Sequence, residues 1–247
     1  MKSIRLPRFG FWRGVALLLC GFGAYAIWLR FTKGLGAVSN LSDTYPWGLW
    51  IGFDVLCGVG LAAGGFTITA IVYLFHLKRF RPIVRPAILT AFLGYLLVCA
   101  GLMVDLGRPW NIWHPLVMWN PHSVMFEIAW CVMLYTTVLG LEFSGMVFER
   151  LGWERAVRIQ HMITLPLVIL GVILSTLHQS SLGSLYLIVP HKLYPLWYTE
   201  LLPAIFWTSA VCVGLAMVIV ESRLSAKAMG RELELPILRD IGRALMG

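Results

Sequence analysis

Charge is the scarcest ingredient of this sequence. Asp, Glu, Lys and Arg make up 13% of the 247 residues, against about a quarter in an ordinary soluble domain. A chain so poor in charge cannot cover itself with a hydrated surface, which excludes a soluble globular domain. No two cysteines stand at CxxC spacing: Cys20, Cys57, Cys99, Cys131 and Cys212 are scattered through apolar runs. That excludes an iron–sulfur cradle and a disulfide framework, and leaves the five as small packing residues. Acids are scarcer than bases, 12 against 20, and a net charge of +8 suggests nucleic acid until the bases are located. Sixteen of the 20 fall in four segments, around residues 2–13, 78–85, 150–158 and 223–243, alternating with connections that hold only Arg30, Lys33, Arg108 and Lys192. Strict alternation of this kind is the positive-inside signature of a multi-pass membrane protein with both termini cytoplasmic. No nucleic-acid partner is expected.

What the sequence has instead is hydrophobicity, 59% of its residues. A helix crossing a hydrocarbon core about 30 Å thick needs about 20 mostly apolar residues. Six runs qualify, near 11–30, 47–76, 85–105, 122–143, 159–178 and 199–221, and are called spans one to six. The first follows a basic start and contains "LLLCG", but it continues past Cys20 to Trp28 without a small-residue cleavage site, so it reads as a span and not as a signal peptide. The fold class is therefore all-α integral membrane. Span two is the richest in small residues, with Gly60 and Gly64 four apart inside "GVGLAAGG". That spacing lets helix backbones approach closely in lipid, so span two belongs at the centre of a bundle. The connections away from the bases, "SDTYPWGLW", "GRPWNIWHPLVMWNPH" and "HKLYPLWYTE", carry six of the eleven Trp, as interfacial anchors do. The tail after Glu221 contains the amphipathic stretch "LPILRDIGRALM", which could lie on the inner membrane surface or act as a linker.

Ionisable groups inside the spans carry the functional argument, because each is expensive in hydrocarbon and needs a partner, water or a function. Asp54 shares a helical stripe with Gly58 and Gly65, hence the packed interior. Glu127 and Glu142 lie on one face of span four, about 60° apart and roughly 22 Å apart along the axis, and could be the ends of a proton path. Asp105 closes span three, with Arg108 three residues on as a potential partner. In "ILSTLHQSSLGSLYLIVP" the apolar run of span five meets His178, Gln179, Ser180 and Ser181 before Gly183, which predicts a helix end at Gly183 as its cap. His122 stands at the same end of the molecule as this cluster. A quinone headgroup needs hydrogen-bonding partners for its carbonyls, proton-exchanging groups and an apolar slot for its tail, and that end offers all three. Two other readings are open. Pairs of histidines such as His178 with His122, or His76 with His161, could ligate haem b, and buried acids on six spans suit a transporter, although midplane broken helices are lacking.

The segments "PWGLWIGFDVLCGVGLAAGG", "DLGRPWNIWHPL", "HSVMFEIAWC", "LEFSGMVFERLGW" and "TLHQSSLGSL", in this order, resemble the polysulfide-reductase membrane anchors of NrfD type, including those of periplasm-facing nickel–iron hydrogenases and of sulfate-reducer redox complexes. The resemblance runs from about Gly36 to Glu221. It implies a haem-free anchor that exchanges electrons between a periplasmic ferredoxin-like iron–sulfur subunit and quinone, either menaquinone or ubiquinone. Its further partners would be the catalytic subunits of a hydrogenase or other redox complex, and membrane lipid. The quinone site would lie toward the periplasmic side of a four-helix bundle made by spans two to five. Expected quinone contacts are His178, Gln179, Ser181 and His122. Expected proton carriers are Asp54, Glu127 and Asp105, with Glu142 as a relay. The segments would be a basic start and first span at 1–35, the bundle at 36–180, an outer loop and sixth span at 181–221, and a basic tail at 222–247. Relatives of this type usually continue through further spans that form a second bundle, so the first-bundle site is expected here while a proton path through that second half is left open.

Overall fold

The computed structural model describes residues 10–42, 44, 48, 52–192, 194–230 and 232–246. Most of "SDTYPWGLW" lies outside the described residues. Six helices long and apolar enough to cross a membrane occupy Phe11–Lys33, Gly52–Leu74, Lys78–Asp105, Val124–Leu151, Glu154–Leu187 and Leu202–Met229. No strand occurs among the described residues. The ends of the molecule are named here by their chemistry: the basic end holds the turns near residues 75–83 and 152–153 and the tail, and the aromatic end holds the loops 106–123 and 188–201.

Local sequence explains several boundaries. Span four starts at Ser123, whose hydroxyl accepts from Phe126 N at 3.4 Å, and stops at Gly152, which adopts the left-handed φ of 70° that glycine tolerates without a Cβ clash. Span six ends in the same way at Gly230. Span five does not end where "HQSSLG" predicts. It continues four residues beyond Gly183 to Leu187, for 34 residues, or about 51 Å at 1.5 Å per residue. Gly183 is a contact residue and not a cap: a Cβ there would stand 2.5 Å from Leu202 O and 2.7 Å from Pro203 Cα. The start of span six crosses at that point.

Span two is the centre, as its small residues predict, with 67% of its apolar window buried against 33% or less for every other span. It presents two stripes. Asp54, Gly58 and Gly65 face span three, where a Cβ on Gly58 would meet Val98 at 3.1 Å and one on Gly65 would meet Ala91. Gly60 and Gly64 face span six, where a Cβ on Gly64 would stand 2.5 Å from Gly214 O and 2.8 Å from Val218. Its two ends are π-helical, at Gly52–Gly58 and Ala70–Leu74, a widened turn that tends to occur at functional positions. Spans two to five form the expected bundle, and span six closes it by packing on spans two and five. Buried residues of these helices, among them Val59, Phe66, Val98, Val132, Leu139 and Leu182, form one core.

The tail folds back. Leu235–Met246 is a helix whose apolar face, Ile237, Leu238 and Ile241, is buried against Ile68, Val72, Ile83, Val84 and Val218 at the basic end, and Arg79 pairs with Asp240 at 2.6 Å. This helix packs against the basic end of the bundle. Span one differs from all the others: only 6% of its window is buried, and Arg30 is its single buried residue.

Candidate functional site

Four helices converge beneath the aromatic end. Span three contributes Tyr95, span four Tyr135, and span five Ser175, His178 and Gln179. His178, Gln179, Ser175 and Tyr95 are wholly inaccessible and Tyr135 is 1% exposed. The two phenol rings meet edge to face at 4.7 Å, and Tyr95 lies 6.1 Å from the imidazole of His178. Gln179 spans the bundle, its Nε2 donating to Val59 O of span two at 3.3 Å. Both ring nitrogens of His178 and Oε1 of Gln179 have no hydrogen-bond partner, while the hydroxyls of Tyr95 and Tyr135 converge on that of Ser175. Native interiors pair nearly all buried polar atoms with protein or water, so three unpaired atoms beside a cluster of hydroxyls mark a place suited to meet something polar.

Directly above this nest, toward the aromatic end, is a cavity of about 840 Å³. Its inner wall includes Val55, Val98, Val132 and Leu182, which stand one helical turn beyond Val59, Tyr95, Tyr135 and His178. A single apolar layer therefore separates the cavity from the nest. Met118, Met125, Met133, Phe126 and Leu185 continue an apolar lining, and Asp105, Asn111, His114 and Asn120 supply polar groups near the mouth. The loop 106–120 roofs the cavity in two 3-10 turns, Pro109–Asn111 and His114–Leu116. It is pinned by Trp130, whose indole N–H donates to Pro115 O at 2.8 Å, with Trp119 packed on the same ring at 5.0 Å.

The carboxylates occupy three levels. Asp105 is 7% exposed, lines the cavity and leaves Oδ2 without a partner. Asp54 sits in the first π-helical turn of span two, its carboxylate pressed against Gly101 of span three, one turn below Asp105 and within electrostatic range of it. Asp54 Oδ2 is also buried without a partner. The cation nearest this pair is not Arg108, which is exposed, but Arg30, within electrostatic range of Asp105. Glu127 and Glu142 are both partly buried on span four. Glu142 lies toward the basic end within electrostatic range of Tyr135.

The structure thus brings Asp54 and Asp105 within electrostatic range of each other on adjacent turns, and His178 and Gln179 together beneath them. Among the expected site residues only Asp105 lines the cavity itself. Ser181 is buried on span five at 4% exposure. His122 is exposed in the turn before span four and does not join the nest. Nor is the nest interfacial: His178 lies nine residues inside the end of its helix. Sequence reasoning missed Tyr95, Ser175 and Arg30, and gave Tyr135 no role. The available signal was the occurrence of phenol, hydroxyl and guanidinium groups within otherwise apolar runs, each of which needs a polar partner.

Comparisons with known proteins find relatives of this chain. The profile of the family described as polysulphide reductase, NrfD, matches residues 37–246. A protein of Nitratidesulfovibrio vulgaris strain Hildenborough is 50% identical over 220 residues, covering 89% of this chain and 57% of that one. The probable Ni/Fe-hydrogenase 2 b-type cytochrome subunit of Escherichia coli K12 is 40% identical over 198 residues, 79% of this chain and 50% of that one. The menaquinone reductase integral membrane subunit of Nitratidesulfovibrio vulgaris is 30% identical over 240 residues, 92% and 56% of the two chains. The chain spans about half the length of the curated relatives it matches. No solved structure matches it.

Proposed function

Because the chain belongs to the polysulphide reductase NrfD family and is a multi-pass membrane protein, we propose that it is the quinone-reactive membrane subunit of a multisubunit respiratory redox complex. It would pass electrons between a periplasmic iron–sulfur subunit and the quinone pool of a bacterial or archaeal cytoplasmic membrane. The observation that carries this reading is the stacking of an apolar cavity on a buried polar nest in which both His178 nitrogens and Gln179 Oε1 are unpaired. The isoprenoid tail of a quinone suits the methionine-lined cavity. Its headgroup would face inward past Leu182, where His178 and Gln179 can hold the carbonyl oxygens and Tyr95 and Tyr135 border them.

Reduction of a quinone takes two electrons and two protons. The sequence carries no iron–sulfur ligand set, so the electrons come from the partner, and this chain's work is binding and proton exchange. Asp105 lines the cavity and Asp54 stands one turn deeper, beside its inner wall, on the side read as periplasmic by the positive-inside rule. Glu142, within electrostatic range of Tyr135 on the opposite side, would offer a relay toward the basic end, and Glu127, eight residues from Tyr135 toward the aromatic end, a carboxylate on the cavity side of the nest.

Quinone-linked activity of the complex, purified with its natural partners, tests the site. His178→Ala and Asp54→Asn should each reduce it at least tenfold, and full activity in both variants would remove the site. A haem b reading draws on the b-type cytochrome wording of the Escherichia coli relative. The residues fit it poorly: His178 is fully buried, while His76, His122, His161 and His191 are exposed and His114 is partly so, which leaves His178 without a buried histidine on a facing helix. A reduced b-type band in the optical spectrum of the purified chain would reverse that judgement.

A further inference from the structure

Span one lies outside the 37–246 range shared with the family, and its one buried residue is a cation. Arg30 is 3% exposed and, with Asp105, is one of the two buried charged residues among those described. Its Nε donates to Val104 O at 2.7 Å and its Nη2 donates to Leu106 O. The last carbonyls of a helix lack intrahelical donors, and the negative end of the helix dipole favours a cation there, so a capping role for span three accounts for these two bonds.

Three observations go beyond capping. The two carbonyls belong to the residues on either side of Asp105, so the guanidinium grips the two peptides that aim the Asp105 carboxylate, and Asp105 Oδ2 is 7% exposed as a residue and unpartnered at the cavity wall. Arg30 and Asp54 both lie within electrostatic range of Asp105, yet Arg30 forms no ion-pair contact with either carboxylate; its charge acts on Asp105 without being consumed by a pair. Finally, Leu35, Leu41 and Ser42, which follow span one directly, line the cavity.

We propose that Arg30 is the positioning residue of the cavity: it fixes Asp105 at the wall where a ligand is met, and it fastens span one with residues 34–42 as a removable side of that cavity. The proposal rests on the reading that the cavity takes a ligand, and not on that ligand being a quinone.

The test uses the assembled complex in vesicles, with the three exposed cysteines replaced as Cys20→Ser, Cys57→Ser and Cys212→Ser. Cys99, which lines the cavity, then reports on the wall through its rate of alkylation by N-ethylmaleimide, while Cys131 is buried. Arg30→Gln keeps amide donors for the carbonyls but removes the charge; Arg30→Lys keeps the charge but not the fork. The expected results are Cys99 alkylation faster by about tenfold in Arg30→Gln, and a KM for a soluble quinone analogue raised by about tenfold with kcat changed less than about twofold. Arg30→Lys should return KM to within about threefold of the parent, because the ammonium keeps the charge at the negative end of span three and can still donate to its last carbonyls. In an Asp105→Asn background, Arg30→Gln should raise KM no further. The proposal is overturned if Arg30→Gln leaves both the alkylation rate and KM unchanged, if it raises KM equally with and without Asp105, or if Arg30→Lys behaves as Arg30→Gln does. If the parent shows no quinone turnover at all, the functional reading fails, while the alkylation rates still decide the role of Arg30.

Discussion

Replacing His178 by leucine separates a structural histidine from a ligand-binding one. The side chain is completely buried and neither ring nitrogen has a partner. Each unsatisfied buried polar group costs about 1–3 kcal/mol, and leucine is of similar volume, so an apolar replacement removes that cost without opening a cavity. The empty protein should therefore be as stable as the parent or more so, by about 1 kcal/mol, in thermal unfolding followed in detergent. Binding should move the other way. A headgroup carbonyl that loses its donor in a dry site loses the bond and remains desolvated, a combined penalty of about 1.5–3 kcal/mol, or at least about tenfold in Kd. Titration of a quinone analogue against tryptophan fluorescence measures this. Destabilisation by more than about 2 kcal/mol together with unchanged affinity would show that the imidazole serves packing alone.

Other perturbations test the packing that holds the site. Gly64→Val forces a side chain into a space where even a Cβ stands 2.5 Å from Gly214 O; a loss of about 1–3 kcal/mol or more, and separation of span six on mild heating with protease present, are expected. Gly183→Val acts in the same way at the crossing with Leu202 and Pro203, and should lower the thermal midpoint, whereas a glycine that merely capped a helix would be much less sensitive to added volume. Leu182→Phe thickens the apolar layer between cavity and nest, and should cut quinone turnover more than it cuts stability. At the basic end, Ile241→Ala removes a side chain that is 3% exposed and should cost about 2–5 kcal/mol and release the tail to limited proteolysis. Asp240→Asn, which breaks a half-exposed pair with Arg79, should change stability by less than about 1 kcal/mol.

The architecture was legible because its signals were physical and local. Apolar length gave six spans, and the small residues of span two gave its central place, since close backbone approach in lipid needs them whatever the partner. The partner itself was not legible: nothing local to Gly64 names Gly214. Gly183 misled for a related reason. Glycine after a polar cluster serves equally as a helix cap or as a close-approach residue, and only the crossing of span six distinguishes them. Arg30 looked like one of four bases on the sparsely charged side. Its role came from two carbonyls more than seventy residues away. The chemistry of the site was visible one residue at a time, in Asp54, Asp105, His178 and Gln179, but its depth was not, because depth depends on where span five stops.

The contact of Gly64 with Gly214 also sets a clock. The two residues are 150 positions apart, and ribosomes add about 5–20 residues per second, so span two waits roughly 8–30 seconds in the membrane before the helix that closes its second face exists. During that interval its glycine-rich flank, smooth and able to adhere to any small-residue helix, has no correct partner. Mispairing at this stage is a kinetic hazard that the finished structure conceals, and insertion factors that shelter early spans would act on span two before any other.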